Sequence, residues 1–149
     1  MEDNKALQWI NAILSEISLL EEKIGIKIIE KCGRECAKSH DLADDCIKIR
    51  NEVENNNDID LLFSVYKEKI FNNSPRFYKE GKIIYLEYHE CSCPLVKSGG
   101  VENPFLCNCT RGYTKERFEA LFGKSVKVEL LKSILNGDKI CKQAIIVEE

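Results

Sequence analysis

Asn136-Gly137 stands between two strand-like runs, Val126-Lys127-Val128-Glu129-Leu130-Leu131-Lys132 and Cys141-Lys142-Gln143-Ala144-Ile145-Ile146-Val147. Asn-Gly is the preferred pair of a two-residue type I′ hairpin turn, because both central positions need positive φ. Such a turn sets Leu135 opposite Asp138, then Lys132 opposite Cys141, Leu130 opposite Gln143, Val128 opposite Ile145 and Val126 opposite Val147. Cys141 then shares a face with Val126, Val128 and Leu130 and points into the core. The hairpin makes the C-terminal end of the chain a small antiparallel sheet.

Working outward, residues 82–90 alternate as another strand, with Ile84, Leu86 and Tyr88 on one face and Ile83, Tyr85, Glu87 and His89 on the other. Residues 95–104 carry Gly99-Gly100 and Pro104 without a period, a loop able to act as a lid. A short helix over 114–122 turns Phe118, Leu121 and Phe122 inward and is capped by Gly123. The first half is helical. Leu7, Ile10, Leu14, Ile17 and Leu20 form one stripe of a helix over 4–24, which Gly25 breaks, and a second helix over 26–38 carries Ile28, Ile29, Cys32 and Cys36. Ser39 or Asp41 caps a third helix through Leu42, Cys46, Ile49 and Val53. Asn55-Asn56-Asn57 ends it, and Asp58 caps a fourth through Ile59, Leu62, Phe63, Tyr66 and Ile70.

With 149 residues and 44% hydrophobic content, the expectation is one α+β domain: N-terminal helices over 1–72 packed on a cysteine-rich sheet part over 73–149. Twenty-five acidic against 22 basic residues, a formal charge of −3, provide no global field to recruit nucleic acid or an anionic membrane. The longest apolar runs, such as Ile83-Ile84-Tyr85-Leu86, are far short of a bilayer span. The opening Met1-Glu2-Asp3-Asn4-Lys5 lacks the cationic start of an export signal, so the expected compartment is the cytoplasm. There, the 8 cysteines are read as metal ligands or free thiols rather than as bridges.

Four sites can carry chemistry. Cys91-Ser92-Cys93 and Cys107-Asn108-Cys109 offer four sulfurs, the tetrahedral thiolate set that zinc prefers, although a C-x-C pair needs extended backbone to aim both side chains one way. If the strand runs past Glu90, His89 shares the face of Cys91 and Cys93 and can replace one sulfur. Free thiols lining a pocket and a disulfide are the other readings. Cys32-Gly33-Arg34-Glu35-Cys36, with His40 four residues on, stacks two sulfurs and an imidazole on one helix face. Core packing of small buried thiols competes with that reading, yet Gly33 costs a helix about 1 kcal/mol relative to Ala and so implies close approach of another helix or a ligand. Cys141 beside Lys132 is a candidate activated thiol, or simply a core cysteine. Arg111, followed by Gly112-Tyr113, can clamp a carboxylate, or lie solvated on the surface. No phosphate-binding glycine loop, G-x-S-x-G or H-E-x-x-H is present.

The runs Leu106-Cys107-Asn108-Cys109-Thr110-Arg111-Gly112-Tyr113, Gly123-Lys124-Ser125-Val126-Lys127-Val128 and Asn136-Gly137-Asp138-Lys139-Ile140-Cys141 resemble the L-2-amino-thiazoline-4-carboxylic acid hydrolase-like family. Cys32-Gly33-Arg34-Glu35-Cys36-Ala37 and Cys93-Pro94 strengthen the likeness to its cysteine-rich branch. More distantly, the pattern is similar to the 4-vinyl reductase domain. The resemblance implies helices on an antiparallel sheet with a small-molecule pocket at their junction, an activity that opens a cyclic thiazoline in the first family, and zinc in some members of the second. Lys142-Gln143 replaces the aromatic usual after the last cysteine.

The resulting expectation is a cytoplasmic domain that binds a small molecule or a metal, with zinc on Cys91, Cys93, Cys107 and Cys109. Arg111, Tyr113, Lys132 and His40 are its ligand-binding candidates. The alternatives are a hydrolase using Cys32, Cys36 or Cys141, or a metal-bound water, and a homodimer formed through the Leu7 to Leu20 stripe.

Overall fold

The computed structural model of the chain describes residues 3–148; Met1 and Glu2 of the acidic opening lie outside them. Six helices and a four-stranded antiparallel sheet follow in an α+β order. Helices α1 (Asp3–Ile17), α2 (Glu22–Ser39), α3 (Leu42–Glu52) and α4 (Ile59–Phe71) come first. Strands β1 (Phe77–Glu80) and β2 (Ile83–Tyr88), the one-turn helix α5 (Pro94–Lys97), helix α6 (Cys109–Phe122) and strands β3 (Val126–Lys132) and β4 (Cys141–Val147) complete the chain. The sheet order is β1-β2-β4-β3, so the last strand lies in the middle. No helix among the described residues is long and apolar enough to cross a membrane.

Two apolar cores form. The larger lies between one sheet face and helices α3, α4 and α6, where Ile84, Leu86, Val126, Val128 and Ile145 meet Cys46, Leu62, Tyr66, Phe118 and Leu121. The smaller joins Leu14 of α1 and Ile29 of α2 to Val101 and Leu106. The stripe of Leu7, Ile10, Leu14 and Ile17 serves this second core, while Leu20 is exposed. Thr114 and Gln143 carry the polar link between α6 and the sheet, buried and joined by a 2.6 Å hydrogen bond between the hydroxyl and the amide oxygen.

Helices α2 and α6 hold the chemistry together by touching backbone to backbone. A methyl group at Gly33 would stand 1.8 Å from the Cys109 carbonyl oxygen, and one at Gly112 would stand 1.8 Å from the Glu30 carbonyl oxygen. Gly33 is therefore explained by a helix rather than a ligand. Ala37, fully buried one turn on, continues the narrow seam. Ion pairs edge it: Arg34 with Glu116 (2.9 Å) and Glu119 (2.8 Å), and Lys115 with Glu30 (3.0 Å).

Several expectations change. The first helix ends at Ile17, not near residue 24, and Gly25 lies inside α2, where the Phe105 ring and the Ile17 carbonyl crowd the space a side chain would fill. Asp41 holds the N-cap position of α3 without a side-chain bond, whereas Asp58 caps α4 by accepting from the Leu61 amide. Helix α6 begins at Cys109 rather than residue 114. The lid expected over 95–104 is packed down: Val101 is buried, and the Gly100 carbonyl accepts from Asn11. At the hairpin, Val126, Val128 and Leu130 face Val147, Ile145 and Gln143 as expected. A register shift then sets Lys132 opposite Lys142, not Cys141. The tight turn is replaced by a 3-10 turn at Ile134–Asn136, closed by Gly137 at φ 99°. Asp138 drives this: its amide donates to the Ser133 carbonyl and its carboxylate accepts from the Ser133 amide, so a wider loop is satisfied locally.

Gly33→Ala and Gly112→Ala should each lower stability by at least about 2 kcal/mol, because overpacking outweighs the gain of about 1 kcal/mol in helix propensity. The urea midpoint measures this, and a midpoint that rises would contradict the close crossing.

Candidate thiol site

The α2–α6 seam ends at cysteines. Gly33 presses against the first residue of α6, Cys109, so the flanking Cys32 and Cys36 of α2 are brought to it. All eight cysteines are free. Cys32 and Cys36 are exposed; Cys91, Cys93, Cys109 and Cys141 are half-buried; Cys46 and Cys107 are buried.

Electrostatics sorts the cluster. Burial pushes the Cys109 thiol up from its usual 9.0 to about 12, and the neighbouring Cys36, Cys93, Cys32 and Cys107 push the same way. Burial also raises Cys107, with Cys141 and Cys91 adding to it, while the Ser133 hydroxyl, donating to its sulfur at 2.9 Å, works against the rise. Cys141 is raised by burial against the backbone amide of Ile134, which donates to its sulfur at 3.3 Å. Cys109 thus sits among Cys32, Cys36 and Cys93, and Cys107 sits among Cys91 and Cys141. The two groups meet in the turn from Cys107 to Cys109. Because Cys91-Ser92-Cys93 and Cys107-Asn108-Cys109 each contribute one thiol to either side, the four sulfurs are shared between the groups.

The thiols neighbour one another without converging. Among the described residues no group of three or more His, Cys, Asp or Glu side chains is disposed to hold a metal ion. Strand β2 stops at Tyr88, so His89 shares no strand face with Cys91 and Cys93; its imidazole lies 3.8 Å from Glu87.

The remaining candidates divide. His40, at the C-cap of α2, meets Tyr113 of α6 edge-on, ring centroids 6.3 Å apart, and Tyr113 also lies in the field of Cys36. Cys36, His40 and Tyr113 are therefore brought together. Arg111 points its Nη1 at the Val128 carbonyl, 3.4 Å away, tying α6 to β3. Lys132 is separated from Cys141 by the register shift and lines a cleft of about 260 Å³ with Ser133, Asn108 and Asp138, beside the Cys107 thiol.

One residue escaped the sequence reading. Arg117 is 8% exposed, at the heart of α6. The signal was available: Thr114, Arg117, Phe118 and Leu121 fall at i, i+3, i+4 and i+7, so an arginine occupies a core position of the buried stripe.

Cys46 and Cys109 carry a pH dependence. Burial raises Cys46 to about 11 and Cys109 to about 12, against 9.0 for an ordinary thiol. The folded state therefore keeps these protons longer than the unfolded chain. Their contribution is complete below pH 9 and is lost as pH rises through 11 to 12. The urea midpoint of the reduced protein should hold steady up to about pH 9 and fall above it; a midpoint flat across pH 9 to 11 would contradict the buried-thiol assignment.

No curated protein matches this chain. One family does so over residues 1–149, and the chain belongs to it: the family of unknown function DUF6144.

Proposed function

We propose that this protein is a cytoplasmic binding domain whose working part is the thiol cluster at the α2–α6 seam, taking a thiophilic metal ion, zinc first, together with a compact small molecule. The observation that carries this reading is the crowding of Cys109, a half-buried thiol held up to about 12 by burial and by four neighbouring thiols. Such a group is unfavourable as a set of thiolates alone. A bound cation reverses the sign, because coordination deprotonates a thiol and neutralises the charge that burial penalises. Cys32, Cys36, Cys93 and Cys109 are the sulfurs best placed for it. Closing them on one ion requires side-chain rotation, which the exposed Cys32 and Cys36 allow. Cys107, bonded to Ser133 of the Lys132 cleft, and Cys141, bonded to the neighbouring Ile134 amide, suit the small molecule.

Hydrolysis of a cyclic C–N or C–S bond, the activity of the aminothiazoline-type family, calls for a thiol poised as thiolate. Burial pushes Cys107, Cys109 and Cys141 the other way, which favours binding over covalent catalysis. Self-association has a separate observation behind it. Trp9 is 70% exposed, and Ile13, Leu20, Ile24 and Ile28 are exposed beside it in sequence on α1, α2 and the turn between them. A partner copy is one way to cover that apolar surface.

Titrating the reduced chain with zinc should bind about one ion and protect about four thiols from a thiol-specific reagent. Cys109→Ser should weaken binding at least about tenfold, and affinity should fall as pH is lowered, since protons compete for the sulfurs. No retained zinc with unchanged thiol reactivity would sink the metal reading. For self-association, sedimentation should show a dimer that Trp9→Asp splits, and a monomer at every concentration would remove that reading.

A further inference from the structure

Arg117 is a buried cation without a carboxylate partner among the described residues. Its guanidinium lies among rings, 5.0 Å from the Phe118 centroid, 5.7 Å from Phe71 and 5.9 Å from Tyr66. Its polar neighbours are Tyr88, within hydrogen-bonding reach, Tyr66 and Cys46. None of the three is a carboxylate. Burial pushes Cys46 to about 11, and Tyr66 is raised by the same cause. Among the described residues no carboxylate pairs with Arg117; the acidic neighbour of Cys46, Asp45, is exposed on α3. A charge removed from water in this way is strongly unfavourable unless something answers it.

The unanswered atoms have a geometry. Nε and Nη2 are both buried and without a hydrogen-bond partner. These two nitrogens form one edge of the planar guanidinium, the edge whose parallel N–H groups grip a carboxylate or phosphate two-pronged. Beyond the aromatic wall lies a cleft of about 410 Å³. Phe71 and Tyr88 line that cleft and also neighbour Arg117, so these two side chains stand between the cleft and the guanidinium. Arg76 and His89 stand at the same cleft with Glu87 and Glu90, of which Glu87 is engaged by the Tyr78 hydroxyl at 2.9 Å.

We propose that the Nε–Nη2 edge of Arg117 is an anion-recognition site that holds the carboxylate or phosphate group of a small ligand entering by the Phe71–Tyr88 cleft. The hydroxyls of Tyr66 and Tyr88 add donors to the same group, and the rings exclude water around it. This site is separate from the thiol cluster and does not depend on zinc.

The test is thermal unfolding of the full chain in chloride, acetate, succinate or inorganic phosphate at fixed ionic strength, with Arg117→Met beside the wild type. The wild type should gain about 5 °C or more at saturation in at least one of the three oxyanions. Preference for succinate or for phosphate tells which group the site takes. Arg117→Met should fold, be at least as stable as the wild type in chloride, and lose the oxyanion-specific rise. Should Arg117→Met fail to fold, Arg117→Lys keeps the charge without the edge and should bind the preferred anion at least about tenfold more weakly. Equal responses in wild type and variant, or no response in the wild type, would overturn the proposal and leave Arg117 a purely aromatic-packing cation.

Discussion

The contact on which the rest depends is the one between Gly33 of α2 and the first turn of α6. With no side chain at Gly33 or Gly112, each helix lays a backbone carbonyl where a methyl group would otherwise sit. That distance sets everything nearby. It aligns Arg34 with Glu116 and Glu119, and Lys115 with Glu30, across the seam. It also fixes α6 over the sheet, where the buried Thr114 hydroxyl donates to the Gln143 side chain. The same approach explains why thiols gather. Cys109 is the residue Gly33 touches, and Cys32 and Cys36 flank Gly33.

Burial and charge pull the two unusual regions of this molecule in opposite directions. In the thiol cluster, burial holds the Cys107, Cys109 and Cys141 thiols toward the protonated form, and the partner proposed for them is a cation. Around Arg117, a fixed cation lies among hydroxyls, a thiol and aromatic rings, and the partner proposed for it is an anion. Both regions are anchored on α6, one at its first residue and one two turns along. Both also border the apolar cores: Cys93 and Cys109 pack against the smaller one, and Cys46, Tyr66 and Phe118 belong to the larger.

Much of the architecture was legible in the residues because the periods were clean. The stripe of Leu7, Ile10, Leu14 and Ile17, the alternation of Ile84 and Leu86, and the Asp58 cap each rest on local chemistry that the structure keeps. The failures have particular causes. Strand β1 was hidden because Lys79, Glu80 and Lys82 interrupt any alternation, while its pairing with β2 supplies what its sequence lacks. The start of α6 at Cys109 was hidden by Gly112, a poor helix former locally but the residue that lets α6 touch α2. The Asn136-Gly137 turn was over-read because Asp138 competes for the Ser133 amide and opens the loop, shifting Lys132 away from Cys141. The cysteine pairs could be seen in sequence, but their neighbours could not: the partition between α2 and β4 arises from tertiary packing alone. Arg117 was overlooked because charge suggested surface, although its spacing marked it as core.

The central claim is that helix crossing assembles separate cysteines into one sulfur-rich binding site. X-ray absorption at the zinc edge on the zinc-loaded, reduced chain tests it most directly, because it reads the atoms around the metal rather than the fact of binding. The account predicts a shell dominated by sulfur at about 2.3 Å. A shell of nitrogen and oxygen alone, at about 2.0–2.2 Å, would contradict it.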